Sequence, residues 1–178
     1  MIDRAIAFAA TAHAGQKRKY DNLPYIVHPI EVMTIVHKAG GDEAMLVAAI
    51  LHDVIEDCEV SLETIIRRFG EDVAMLVDKL TDEFTKEVYP TWNRRRRKLA
   101  EIERLAGAPA RAQTIKYADL ISNTRSIVEH DKNFAVRYLE EKAALLDVMN
   151  KGDATLYQQA LAELSRGQWT LMQNSLRG

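Results

Sequence analysis

The sequence of 178 residues contains a single cysteine, Cys58, so no internal disulfide framework can hold it, and the chain suits a reducing compartment. No apolar run approaches the roughly 20 residues that a membrane span needs. An excess of charge is also missing: 24 Lys+Arg stand against 26 Asp+Glu, a formal net charge of −2. That balance argues against nucleic acid as a general partner. Alternating runs of β-branched residues are absent, as are internal repeats, low-complexity tracts and any linker that would split the chain. The N-terminus lacks a signal core, because Ala5–Ala12 is short and contains no leucine. What is present, 47% hydrophobic and 28% charged residues, fits one soluble globular domain over 1–178, expected to be cytoplasmic.

Helical periodicity runs through almost all of it. Ile2, Ile6, Ala9 and His13 share one face of a first helix. Pro29 sits just inside a second pattern that Gly40-Gly41 closes, with His28 at its N-cap. Asp42 caps a helix over 43–57, and Ser61 caps another that ends near Gly70. Further helices are expected at about 71–81, 94–105, 111–128, 134–150 and 153–164, with 81–93, which holds Pro90, as a loop. The fold class is all-α.

The helix over 43–57 carries the chemistry. Met45 to Leu51 is apolar around its whole circumference, as a buried central helix is. Into this run come His52-Asp53 and then Glu56-Asp57, spaced so that all four can share one broad face. Burying such carboxylates without partners costs several kcal/mol, so something positive must lie against them. A divalent metal answers this economically; an arginine or lysine cluster is the alternative. His28 and Asp119, the latter an isolated acid in a mostly apolar helix, are candidates to complete a ligand set. Two imidazoles and two carboxylates suit Mn²⁺, Fe²⁺ or Zn²⁺ better than Ca²⁺. Asn123 lies one turn beyond Asp119 on the same face, within reach of a ligand or substrate.

Four motifs occur in order: His13-Ala-Gly-Gln16-Lys-Arg18-Lys19, Pro24-Tyr25-Ile26-Val27-His28-Pro29, Leu51-His52-Asp53-Val-Ile-Glu56-Asp57 and Lys116-Tyr-Ala118-Asp119-Leu-Ile-Ser-Asn123. Over about residues 2–150 the chain resembles the HD-domain hydrolases of the alarmone (p)ppGpp, the hydrolase half of Rel/SpoT enzymes and their small stand-alone relatives. The resemblance implies one divalent metal, usually Mn²⁺, on His28, His52, Asp53 and Asp119. It also implies catalytic duty for Glu56 and Asp57, and contacts to a small-molecule nucleotide from Arg18, Lys19, Asn123 and Tyr138. Synthetase activity is not expected of these residues. Two departures leave other nucleotides open: Leu120 stands where the family often has a basic residue, and Asn22-Leu23 where a glycine commonly precedes Pro-Tyr.

With these residue types, a bound metal retains and acidifies a water, and Glu56 and Asp57 orient or deprotonate it. Removal of the 3′-pyrophosphate is the expected reaction. A phosphohydrolase of another nucleotide (the 2′-phosphate of NADPH or an adenine alarmone) and a non-catalytic sensor are the alternatives. The run Arg94–Lys98 fans around a helix and reads as a solvated face, unless one or two arginines reach the substrate or an acidic neighbour. His13 and His37 read as structural, His130 as loop surface, Cys58 as a packed residue without a His partner, and Trp92 and Trp169 as packing anchors. The oligomeric state is not encoded legibly.

Overall fold

A computed structural model describes residues 1–175. Ten helices follow in order: α1 (Ile2–Ala12), α2 (Val27–Lys38), α3 (Glu43–Leu51), α4 (Val54–Asp57), α5 (Leu62–Phe69), α6 (Glu71–Leu80), α7 (Arg94–Ala106), α8 (Ala110–His130), α9 (Lys132–Val148) and α10 (Ala154–Ser175). Among the described residues there is no named strand; a lone antiparallel bridge joins Lys17 to Pro24. The fold is all-α. No helix among these residues is long and apolar enough to cross a membrane.

Capping chemistry sets several boundaries. The Asp42 side chain accepts from the Met45 N–H, Ser61 from Thr64, Asn93 from Arg96 and Asp131 from Phe134, each satisfying an orphan donor of a first turn. Residues Met45–Leu51 are all buried, so α3 is the central rod of the fold. Each of its large aliphatic side chains contributes about 1.5–3 kcal/mol through burial. α3 packs on α1, α2 and α6, and α8 crosses behind α2 and α3 while α10 lies along α8 and α9.

Three expectations change. The helix over 43–57 is not continuous: α3 stops at Leu51 and α4 starts at Val54, with Asp53 between them at φ −98°, ψ −6°. His52 turns its Nδ1 onto the Ala49 carbonyl, so the side chain supplies the partner as the ladder breaks. His28 is not an N-cap but the second residue of α2, whose cap is Ile26. The last helix runs well past residue 164. It passes through Gly167, where a Cβ would meet Val128 Cγ2 at 2.9 Å, so the helix tolerates glycine for the sake of close packing.

Candidate active site

Helices α2, α3 and α8 pack against one another, and their polar residues meet where they converge. His28 comes from α2, His52 and Asp53 from the α3–α4 break, and Asp119 from the middle of α8. His52 Nε2 lies 3.0 Å from Asp53 Oδ2 and 3.7 Å from Asp119 Oδ1. His28 Nε2 lies 3.3 Å from Asp119 Oδ1 and 3.7 Å from Asp53 Oδ2. Ligand atoms of His28, His52 and Asp119 all fall within 4.8 Å of one another, and all three residues are buried.

The outer hydrogen bonds fix both imidazoles. His52 Nδ1 donates to the Ala49 carbonyl at 2.8 Å, which leaves Nε2 as the inward nitrogen, and that atom is buried with no good hydrogen-bond partner. His28 Nδ1 lies 3.0 Å from Ser122 Oγ, whose own hydroxyl donates to Glu31 at 2.9 Å. The serine hydrogen is thereby committed to Glu31, so His28 Nδ1 must be the donor, and its Nε2 also faces the centre. Two inward nitrogens with two carboxylate oxygens are a donor set that fits a divalent cation of the first transition row. The orphaned His52 Nε2 is the observation that speaks for it. With only side chains present, burial disfavours charge on His52, but Asp53 and then Asp119 outweigh it and hold its pKa well above the usual value.

Further hydrogen bonds brace the carboxylates. The Tyr25 hydroxyl donates to Asp53 Oδ2 at 2.6 Å, Asn123 Nδ2 donates to Asp119 Oδ1 at 2.6 Å, and Lys116 Nζ sits 3.1 Å from Asp119 Oδ2. Burial pushes the tyrosine hydroxyl well above its ordinary pKa, with Asp53 adding to the effect, so Tyr25 serves as a donor only. Asp119 is held well below the usual carboxylate range, because Lys116 and the two imidazoles overcome the cost of burial. Asn123 therefore touches a candidate ligand, as its position one turn on from Asp119 suggested.

Glu56 and Asp57 stand beside the cluster on α4 with exposed surfaces. The Glu56 carboxylate accepts the backbone N–H of Asp82. Partial burial of that carboxyl, and next the Asp82 charge, push its pKa up to about 7. Asp57 is raised too, by burial of its carboxyl and then by Asp53. Burial alone would also raise Asp82, but Lys116 and Lys98, the latter at 2.7 Å, keep it below the usual range. Lys98, Lys116 and Lys142 line one small recess with Asp82, Glu101 and Glu141, so the acid beside Glu56 is flanked by cations.

A cavity of about 250 Å³ opens next to His28, lined by Arg18, Lys19, Tyr20, Tyr25, Asn123, Ser126, Ile127 and Phe134. Arg18 and Lys19 reach it already paired. Arg18 is 3.3 Å from Asp21 and 3.5 Å from Glu31, and Lys19 is 2.9 Å from Asp131. Tyr138 does not line this cavity; it is 5% exposed beneath it, its ring beside Phe134 and its hydroxyl 3.4 Å from Thr124.

Both departures from the family pattern have a local explanation. Leu120 is 3% exposed in the core, so its side chain does not face the cavity. Asn22 adopts φ +59°, the left-handed conformation that glycine takes freely and asparagine tolerates.

Most of the arginine run is engaged in internal contacts, while Arg95 stays exposed. Arg94 makes a two-pronged pair with Glu141 at 2.7 Å, Arg96 lies 3.9 Å over the Trp92 ring, and Arg97 donates to the Trp92 carbonyl. Lys98 pairs with Asp82, whose backbone N–H the Glu56 carboxylate accepts. Trp92 packs with Phe84 and Tyr89, but Trp169 is 59% exposed and anchors nothing. His130 ends α8 rather than lying in a loop, and stacks on Tyr20 at 5.6 Å. Cys58 does have a histidine neighbour: its Sγ is 3.3 Å from His13 Nδ1. Burial pushes the thiol up, so the contact does not make a nucleophile.

Reasoning from the sequence missed Tyr25, Glu31, Ser122, Lys116 and Asp82 as parts of this site. Lys116 carried a signal, standing three residues before Asp119 in an otherwise apolar stretch. The others become legible only when distant segments meet.

A family model described as HD domain matches residues 5–146 of this chain. The chain belongs to the HD domain family. Among curated relatives, this HD-domain chain is 36% identical over 127 residues to a probable guanosine-3′,5′-bis(diphosphate) 3′-pyrophosphohydrolase of Synechocystis, a match covering 71% of this chain and 17% of that one. It is 39% identical over 125 residues to the guanosine-3′,5′-bis(diphosphate) 3′-pyrophosphohydrolase MESH1 of Drosophila melanogaster, covering 68% of this chain and 66% of that one. The chain thus spans less than two thirds of the length of these relatives. A solved structure described as a metazoan orthologue of SpoT that hydrolyses ppGpp superposes with a TM-score of 0.82 at 29% identity, covering 93% of this chain and 94% of that one.

Proposed function

We propose that this HD-domain chain removes the 3′-pyrophosphate of guanosine 3′,5′-bis(diphosphate), (p)ppGpp, leaving GDP or GTP. The observation that carries this reading is the orphaned, buried His52 Nε2, aimed with His28 Nε2 at two carboxylates beside a cation-rimmed cavity. Relatives over most of this chain bear the name of that activity. His28, His52, Asp53 and Asp119 would hold the divalent cation, with Mn²⁺ as the assignment. When bound, it supplies Lewis acidity and water activation.

The chain's own groups then divide the work. Glu56, with its carboxyl near pKa 7, takes a proton from the attacking water, while Asp57 stands next in line to pass it on. The water oxygen bonds to the phosphorus on the 3′ side as the P–O3′ bond breaks, and the proton returns to O3′. Arg18 and Lys19 hold the anionic nucleotide in the cavity lined by Phe134 and Ile127, and Asn123 orients Asp119. Tyr138 supports the cavity from below through Phe134 rather than by an exposed face. The working compartment is the cytoplasm, and the substrate is a free nucleotide rather than nucleic acid.

The test is a nucleotide panel with Mn²⁺ and chromatographic identification of products. Pyrophosphate together with GDP from ppGpp is expected. Inorganic phosphate from NADPH, or turnover confined to an adenine alarmone, would replace the guanosine assignment by another nucleotide. Binding without turnover across the panel would make the chain a sensor.

A further inference from the structure

One buried polar ring has no part in the chemistry above. His13 is 3% exposed and closes α1 as its C-cap. The turn after it carries Gly15 at φ +81°, which lets the chain reverse, and the Gln16 N–H bonds back to the His13 carbonyl at 3.0 Å. The Gln16 side chain then crosses to the acid pair. Its Nε2 donates to the backbone carbonyl of Asp57 at 2.8 Å, with Cys58 Sγ at 3.8 Å beside it. A carbonyl can only accept, so this bond fixes the amide and turns Oε1 toward His13. Oε1 also only accepts, so His13 Nδ1, at 2.8 Å, must carry the hydrogen. His13 Nε2 is buried without any partner, so the ring's polar contribution rests on Nδ1 alone. The same ring packs 4.6 Å from Tyr25, the residue that donates to Asp53.

We propose that His13 is a positioning residue for the hydrolysis: through Gln16 it holds the Asp57–Cys58 backbone, keeping Glu56 and Asp57 registered against the His–Asp cluster. Its kinetic consequence rests on the hydrolase reading above. His13 does not line the substrate cavity, so it acts on turnover and not on nucleotide affinity. Nor does it touch a candidate ligand directly, so cation binding survives its loss. The role requires a donor at the Nδ1 position, which asparagine supplies and phenylalanine, though ring-sized, does not.

The experiment compares wild type with His13→Asn, His13→Phe and Gln16→Leu, each checked for folding by melting temperature. Three readouts are taken: kcat and KM for ppGpp with Mn²⁺, Mn²⁺ affinity by calorimetry, and amide exchange of the peptide around residues 54–60. His13→Phe and Gln16→Leu should each lower kcat about tenfold or more, the scale of lost outer-shell support, with KM and Mn²⁺ affinity within about twofold. Both should speed exchange at residues 57–58, and His13→Asn should restore kcat and protection. If His13→Phe matches wild type in kcat and exchange, or His13→Asn is as impaired as His13→Phe, the positioning role is wrong. Should wild type fail to turn over ppGpp, the hydrolase reading falls by itself. The exchange readout then still decides for or against the His13–Gln16–Asp57 link.

Discussion

The His–Asp cluster and the cationic rim lie side by side, yet they are built on opposite terms. In the cluster, the side chains are held by fixed partners: Nδ1 of His52 on Ala49, Nδ1 of His28 on Ser122, Asp53 Oδ2 under the Tyr25 hydroxyl, Asp119 under Lys116 and Asn123. Both imidazoles are left with Nε2 facing two carboxylate oxygens that are themselves held in place, which is what preorganisation for a cation means in side-chain terms. At the rim, Arg18 and Lys19 are occupied by Asp21, Glu31 and Asp131. An arriving nucleotide meets charges that must be shared or released. The cluster should therefore be brittle to substitution, and the rim adjustable.

The sharpest way to break that contrast is Asp53→Ala. It removes the carboxylate nearest His52 Nε2 and the acceptor of Tyr25. Turnover should fall by about 10³-fold or more, equivalent to roughly 4 kcal/mol of transition-state stabilisation. Calorimetry should show Mn²⁺ binding lost with it. In the wild type, Mn²⁺ affinity should weaken as pH falls, because Asp53 and Asp119 raise the His52 pKa and the cation must expel that proton. An Asp53→Ala protein that still binds Mn²⁺ at wild-type strength would show that the four residues are not a ligand set.

That brittle core is also what the sequence exposes best. His52, Asp53 and Asp119 each interrupt an apolar run, and burial of an unpartnered polar group is costly enough that the interruption needs a reason. The all-α class, the Asp42 and Ser61 caps and the buried α3 follow from equally local rules. What stayed hidden depends on encounters between distant segments. Tyr25 meets Asp53 across 28 positions, Ser122 meets Glu31 across 91, and Lys19 meets Asp131 across 112. The helix expected to end near 164 runs on through Gly167, whose reason, the approach of Val128, lies on another helix. The break at Asp53 escaped notice because its repair is a side chain on the Ala49 carbonyl.

Glu56 tests the boundary between the two regions. It stands beside the cluster without belonging to it, so Glu56→Gln should retain Mn²⁺ while kcat drops about 10²- to 10⁴-fold. As a base it works only when ionised. Activity should therefore fall as pH drops through its pKa of about 7, or through a somewhat lower value once a cation sits nearby. The acid limb of the kcat profile should disappear in Glu56→Gln. A mutant with full kcat, or with the same acid limb, would move the base elsewhere, Asp57 being next in line.

The smallest effect belongs to the rim and probes its adjustability directly. Asp131 both holds Lys19 and caps α9 through the Phe134 N–H. Asparagine at 131 keeps the capping oxygen but drops the charge, so the helix start survives while Lys19 is released. The Lys19 side chain is 69% exposed, and its pairing with Asp131 is correspondingly soft. Asp131→Asn should lower KM for a polyanionic nucleotide by about two- to fivefold with kcat unchanged, since an exposed ion pair is worth no more than that. The gain should shrink as salt rises, because screening weakens the freed charge over about 10 Å at 0.1 M. An unchanged KM at low salt would mean that Lys19 does not meet the substrate. A lower kcat instead would mean that the Lys19–Asp131 pair shapes the site rather than guarding its mouth, and the rim would then be as rigid as the cluster beside it.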